Sequence, residues 1–201
     1  MNNLRRTAKR FRLKFWIVKS IILHQPVKIV VGASGVFDRG WIPTDIDTLN
    51  LLHDNDWKFY FRENAIDMIM AEHVWEHLTE RDGIDAAKQC FPYIKRGGHL
   101  RIAVPDGYHP SAEYINYVKP GGSGFGSDDH KVLYNYKSLG NVLRTAGFSV
   151  DFLEYFDEHG EFHSQAWSPQ DGLIRRSKNY DERNQGGLLN YTSIILDGRK
   201  E

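Results

Sequence analysis

The apolar residues Leu4, Ala8, Phe11, Phe15, Val18 and Ile22 recur at helical spacing. That spacing predicts an amphipathic helix over residues 3–23 that buries this stripe, with Pro26 beyond its end. The β-branched run Val27-Lys28-Ile29-Val30-Val31 then meets Gly32-Ala33-Ser34-Gly35, a strand entering a glycine turn. Trp41–Thr44 reads as a second strand ending on Asp45, and Lys58–Phe61 as a third before the turn Arg62-Glu63-Asn64. The fourth, Ile66–Ala71, is apolar on both faces apart from Asp67, as a strand buried inside a parallel sheet should be.

Ile84, Ala87, Phe91 and Ile94 mark a helix face that is expected to stop at Gly97-Gly98, before a fifth strand over Leu100–Val104. Ser138 is predicted to cap a helix whose apolar side is Leu139, Val142, Leu143 and Ala146. Phe148–Tyr155 and Thr192–Leu196 complete the strands. The alternation predicts a Rossmann-like three-layer α/β sandwich with a mostly parallel sheet. Its expected organisation is a basic N-terminal helix, residues 1–26, packed on one domain, 27–201. The segments 119–129, rich in glycine, and 156–190 show no periodicity.

Length and composition suit one folded domain: 201 residues, 41% of them hydrophobic. One cysteine, Cys90, excludes a disulfide framework and a multi-cysteine metal centre. The net charge of zero hides an asymmetry. Residues 1–28 hold eight of the 26 basic side chains and none of the 26 acidic ones, which leaves the body strongly acidic. A basic leader on an acidic body either docks on that body, the expectation adopted here, or touches a lipid surface. The apolar stretch Phe15–Leu23 is far shorter than the ~20 residues of a membrane span and lacks a signal-peptide cleavage pattern. The expectation is a cytoplasmic protein, with peripheral membrane contact through residues 3–23 as the alternative. An extended nucleic-acid groove is not expected.

In open α/β sheets ligands bind beyond the carboxyl ends of the strands. Three such ends carry candidate residues: Gly32–Gly35, Asp45, and Glu72 with His73. Glycines admit a ligand close to the backbone, and a carboxylate after the second strand can accept ribose hydroxyls. Only 13 positions separate Gly32 from Asp45, against ~20 in a dinucleotide fingerprint, so the crossover is either very short or not helical.

Several of these segments resemble one family. Gly40-Trp41-Ile42-Pro43-Thr44-Asp45-Ile46 is similar to the Gly-Trp-Ile-Asn-Val-Asp-Ile element of short class I methyltransferases, and Phe59–Asp67 to their Leu-Pro-Phe…Phe-Asp stretch. Ala71-Glu72-His73-Val74-Trp75-Glu76-His77-Leu78 resembles their Glu-His-Val-Leu-Glu-His-Leu signature. Tyr93–Ile102 resembles their Leu-Lys-Pro-Gly-Gly-x-Leu-Arg-Ile run, and His130 and the helix ending at Ala146-Gly147-Phe148 have counterparts too. The likeness spans roughly residues 27–155. Two departures stand out: Gly-Ala-Ser-Gly replaces the usual Gly-x-Gly, and Tyr60 replaces a proline.

The resemblance implies methyl transfer from S-adenosylmethionine to an oxygen, nitrogen or carbon nucleophile on a small-molecule or glycan acceptor. Asp45, with Ile46 beside it, is expected at the ribose, and the backbone of Gly32, Ala33, Ser34 and Gly35 at the aminoacid carboxylate. Trp57, next to Asp56, is expected to face the adenine, and Glu72, beside Ala71, the cationic sulfonium. His130, after the glycine-rich segment read as a closing lid, and His73 are the expected catalytic residues. The alternative is a non-catalytic, membrane-associated binding module on the same scaffold.

His73-Val74-Trp75-Glu76-His77 also matches the His-x-x-Glu-His pattern of a zinc peptidase class, with Glu154 as a distant third ligand. No metal is expected, because His73 falls at a strand end rather than on a shared helical face. Glu76 and His77 then read as structural residues at a helix start.

Overall fold

The computed structural model describes residues 3–201. Residues 1 and 2 of the expected N-terminal unit lie outside them. Seven strands form a single sheet: β1 (Lys28–Val31), β2 (Ile42–Pro43), β3 (Ile66–Glu72), β4 (Ile94–Pro105), β5 (Ser149–Phe156), β6 (Phe162–Ser164) and β7 (Ser193–Arg199), in the order β2-β1-β3-β4-β7-β5-β6. The pairings β1–β2, β1–β3 and β3–β4 are parallel, while β4–β7, β5–β7 and β5–β6 are antiparallel. Because β7 runs against both of its neighbours, β5 points the same way as β1, β2, β3 and β4, and only β6 and β7 are reversed in a sheet expected to be mostly parallel. The chain reaches β5 from β4 through a long crossover that contains the helix Tyr136–Thr145, and β5 then turns back into β6 as a hairpin.

Side chains alternate across this sheet. Ile29 and Val31 of β1, Ile69 and Ala71 of β3, Leu100, Ile102 and Val104 of β4, and Ile194 and Leu196 of β7 face the larger core. That core is closed by α1 (Asn3–Ile22), α2 (Asp54–Tyr60), α3 (Glu80–Cys90) and α5 (Tyr136–Thr145). Val30, Met70, Ala103 and Ile195 face the other way, under Trp41, Trp167 and Ile174. The cover on that face is an irregular segment, not helices. It is held by polar groups: Arg101, 1% exposed, pairs with Asp197 at 2.7 Å and donates to the carbonyls of Ser168 and Gly172. Buried Glu154 accepts from Trp167 Nε1 at 2.9 Å and from the Lys178 backbone at 2.8 Å. Backbone-directed anchors such as these leave no hydrophobic period, which is why 156–190 was unreadable.

Four local expectations are corrected. Lys58–Phe61 belongs to helix α2 and its C-cap rather than a strand, because Trp57 and Tyr60, one helical turn apart, both bury. The helix containing Ile84 and Ala87 stops at Cys90, ahead of Pro92, and Ile94 already starts β4, so Gly97-Gly98 lies inside a strand. The cap of α5 is Asn135, whose side chain accepts from Ser138 N while Ser138 Oγ accepts from Asn135 N, a reciprocal capping box. Finally, the buried apolar residues of α1 are Leu13 and Ile17, at 4% and 0% exposure. Phe11, Phe15 and Ile22, expected inside, are more than half exposed. A short unpredicted helix, α4 (Ala112–Val118), follows β4 with Ser111 as its cap.

Candidate functional site

A cleft of about 860 Å³ opens at the carboxyl ends of β1 and β3. That size lies within the range of small-ligand pockets, ~300–1,000 Å³. Its floor is the turn after β1. Gly32 takes φ +64°, and a Cβ there would sit 2.5 Å from Val74 Cγ2, so only glycine allows the β3 exit to pack this close. Ser34 also takes a left-handed conformation, φ +46°, in the place where a side chain is strained. The turn is fixed by Ala33 N donating to Thr44 O at 3.0 Å and Ser34 N donating to Asp45 Oδ1 at 2.8 Å. The link from β1 to β2 contains no helix, in line with its brevity.

Of the expected site residues, Gly32, Ala33, Ser34, Glu72, His73 and His130 line this cleft together. The others do not. Gly35 and Asp45 are outside its lining, and one Asp45 oxygen accepts from Ser34 N. Ile46 points to solvent at 76% exposure, and Ala71 is fully buried in the sheet. Trp57 is fully buried, stacked on Tyr93 at 5.2 Å, and donates to Leu51 O. Asp56 is bound by Arg10 at 2.7 Å and accepts from Asn50 N. The last two serve the docking of α1 and α2 rather than an adenine face.

Glu72 accepts from Arg176 N at 2.7 Å, so the segment 174–183 forms the opposite wall and supplies Arg175, Arg176, Tyr180, Asp181 and Arg183. These residues carried no recognisable motif. The arginines are paired: Arg175 with Asp38 at 2.9 Å and Arg183 with Asp181 at 2.6 Å.

At the far end sits a cluster of imidazoles. His73, at φ +55°, contacts Glu76 Oε1 through Nδ1 at 3.0 Å and Ser193 Oγ through Nε2 at 3.0 Å. His130 donates from Nδ1 to the Val118 carbonyl at 2.7 Å, and its ring meets that of His77 edge-on at 4.9 Å. Glu76 is 1% exposed. Burial opposes its ionisation, but the neighbouring His73 and His77 hold its carboxyl below the usual carboxylate range. Glu154, the third ligand of the zinc-peptidase pattern, is instead spent on Trp167 and Lys178.

The glycine-rich segment is folded rather than open. A Cβ on Gly122 or Gly124 would lie within 2.6 Å of α4 backbone carbonyls, so these glycines permit close packing. Phe125 is left fully exposed at the cleft mouth.

No family model and no curated protein matches the chain. Solved structures do. A SAM-dependent methyltransferase of Thermotoga maritima, described as a possible histamine N-methyltransferase, aligns over 90% of this chain and 76% of its own at 15% identity and TM-score 0.50. A chain from the complex of the Haloferax volcanii Trm112 methyltransferase activator with a protein named as a methyltransferase aligns over 98% and 94%, at 9% identity and TM-score 0.50. The chain has the Rossmann-like α/β fold of SAM-dependent methyltransferases. At these identities the likeness is one of fold, and the chemistry must be argued from the cleft.

Proposed function

We propose that this protein is a methyltransferase that uses S-adenosylmethionine and a polar small-molecule or glycan acceptor. One observation carries the reading: on this fold, the strained Gly32–Ser34 turn, buttressed by Asp45, faces a cleft whose far end is a histidine cluster. The turn's backbone would take the aminoacid end of the cofactor, and Asp45 would act by holding that turn through Ser34 N. Glu72 would stand near the sulfonium. The adenine falls to Val36, which is half exposed on the cleft, rather than to Trp57.

Positioning does much of the work, since sulfonium is already a strong electrophile. His130 and His73 act on the acceptor side. His73 has both nitrogens engaged and is a positioning residue, whereas Nδ1–H donation by His130 leaves Nε2 with the lone pair. The exposed rings of Phe125 and Tyr180 offer apolar faces to a sugar or ring-bearing acceptor.

Titration calorimetry with S-adenosylhomocysteine tests the reading. The expected result is one site, weakened at least tenfold by Asp45→Ala. An absence of heat at millimolar ligand would leave the second reading, a non-catalytic module, which the burial of Trp57 and Asp56 favours.

The reading is of a cytoplasmic enzyme seated on a membrane surface. Among the described residues no helix is long and apolar enough to cross a membrane. However, α1 presents Leu4, Phe11, Phe15, Val18 and Ile22 to solvent with seven basic side chains along the same helix and no acid. That composition fits an anionic lipid surface. Sedimentation with phosphatidylserine vesicles should fall sharply in Phe11→Ser/Phe15→Ser while the melting temperature holds. Equal sedimentation would remove the membrane role.

A further inference from the structure

We propose that Glu76, His77 and His130 form a divalent-cation site at the inner end of the cleft. Each residue offers one donor atom, and the three atoms lie within 4.8 Å of one another although His130 is 53 positions from His77. A tetrahedral cation with ligands at about 2.1 Å draws its donors to about 3.4 Å apart, so side-chain rotation of about 1 Å closes the set.

The independent observation is Glu76. Its side chain is 1% exposed, and its ion-pair contact is His73 Nδ1, 3.0 Å from Oε1. No hydrogen bond reaches Oε2. A carboxylate this deep requires compensation, by hydrogen bonds or by a cation, and one oxygen has neither. His77 Nδ1 is likewise buried without a hydrogen bond, 3.3 Å from Asp129 Oδ2.

The outer contacts are those of a metal centre. His130 gives its Nδ1–H to a backbone carbonyl, which fixes the tautomer and leaves Nε2 as a ligand. His73, held by Ser193, orients the Glu76 carboxylate. Two imidazoles and one carboxylate select zinc, manganese or another first-row divalent cation over magnesium or calcium. Three protein ligands leave positions open to the cleft.

The site's role rests on the methyltransferase reading; its existence does not. An acceptor hydroxyl on an open position becomes more acidic and gives its proton to water. The oxygen then attacks the sulfonium methyl carbon: the C–O bond forms, the C–S bond breaks, and S-adenosylhomocysteine leaves as a neutral thioether. His130 then serves as a ligand, not as the free base.

The test is cobalt(II) titration of the chelator-treated full chain, read by visible absorption, with zinc competition by calorimetry. A second, exposed cluster of Asp157, Glu161 and His163 calls for a His163→Ala background. In that background one equivalent should bind, and His130→Ala and His77→Ala should each weaken it at least tenfold. Glu76→Gln is a supporting variant; the partly buried His130 carries the test because it lies outside the core. Absence of stoichiometric cobalt, or binding unchanged in His130→Ala, overturns the proposal. S-adenosylhomocysteine titration of the same samples separates the two claims. Cofactor bound without cobalt sinks the cation site alone, and cobalt bound without cofactor sinks the enzyme reading alone.

Discussion

Replacing Arg101 by leucine should destabilise the protein by about 3–4 kcal/mol and loosen the wall of the cleft. The guanidinium is 2% exposed and pairs with Asp197 through two contacts, Nε at 2.7 Å and Nη2 at 2.8 Å, while Nη1 donates to Ser168 and Gly172. Leucine fills part of the volume but leaves a fully buried carboxylate. Removing one partner of such a pair costs about 3–5 kcal/mol. The upper end is tempered because Arg199 Nη2 stands 3.5 Å from Asp197 on a half-exposed side chain.

Urea unfolding followed by tryptophan fluorescence measures the loss. With a slope near 2 kcal/mol/M, the midpoint should fall by about 1.5–2 M. Arg101→Leu/Asp197→Leu should recover most of it, since a buried pair exchanged for apolar residues is often neutral. A single variant within about 1 kcal/mol of wild type, or a double variant costing more than either single, would refute the reasoning.

Three further outcomes follow from the geometry. Ile17→Ala should cost about 2–4 kcal/mol in the same unfolding assay while Phe15→Ser stays within about 0.5, because only Ile17 is buried. Gly32→Ala should lower both the melting temperature and S-adenosylhomocysteine affinity, since its Cβ would meet Val74 at 2.5 Å and φ is +64°. Burial pushes the His109 imidazole down to about 4. The folded state therefore binds fewer protons, and stability is lost as pH falls from about 6.5 towards 4. Burial also raises Asp106 to about 6, which acts in the opposite sense over the same range and flattens the wild-type profile. His109→Phe should thus gain stability relative to wild type on going from pH 7 to 4.5, by up to about 3 kcal/mol; a constant difference across that range contradicts the assignment.

What was legible in the sequence was the buried half of the sheet. β1, β3 and the second part of β4, Leu100–Val104, are short and mostly apolar, and such runs have few alternatives inside a parallel sheet. The misread elements fail for specific reasons. Trp57, Phe59 and Phe61 alternate like a strand, yet Trp57 and Tyr60 pack through helical spacing. In α1 more apolar residues are available than one face can bury, and the winning pair, Leu13 and Ile17, is the one that meets the body. At the site, the glycine turn and the Glu72-His73 strand end were visible because each is local. The meeting of Glu76 and His77 with His130 depends on how α4 and its glycine loop fold back, and the second wall depends on polar anchors such as Arg101 and Glu154. Neither leaves a periodic trace.

The most direct test of the central claim is a crystal structure with S-adenosylhomocysteine soaked in. The account predicts the ligand in the 860 Å³ cleft, its aminoacid end on the Gly32–Ser34 backbone and its sulfur turned towards the cluster of His73, Glu76, His77 and His130. An empty cleft at saturating ligand, or the ligand bound elsewhere on the surface, would contradict it.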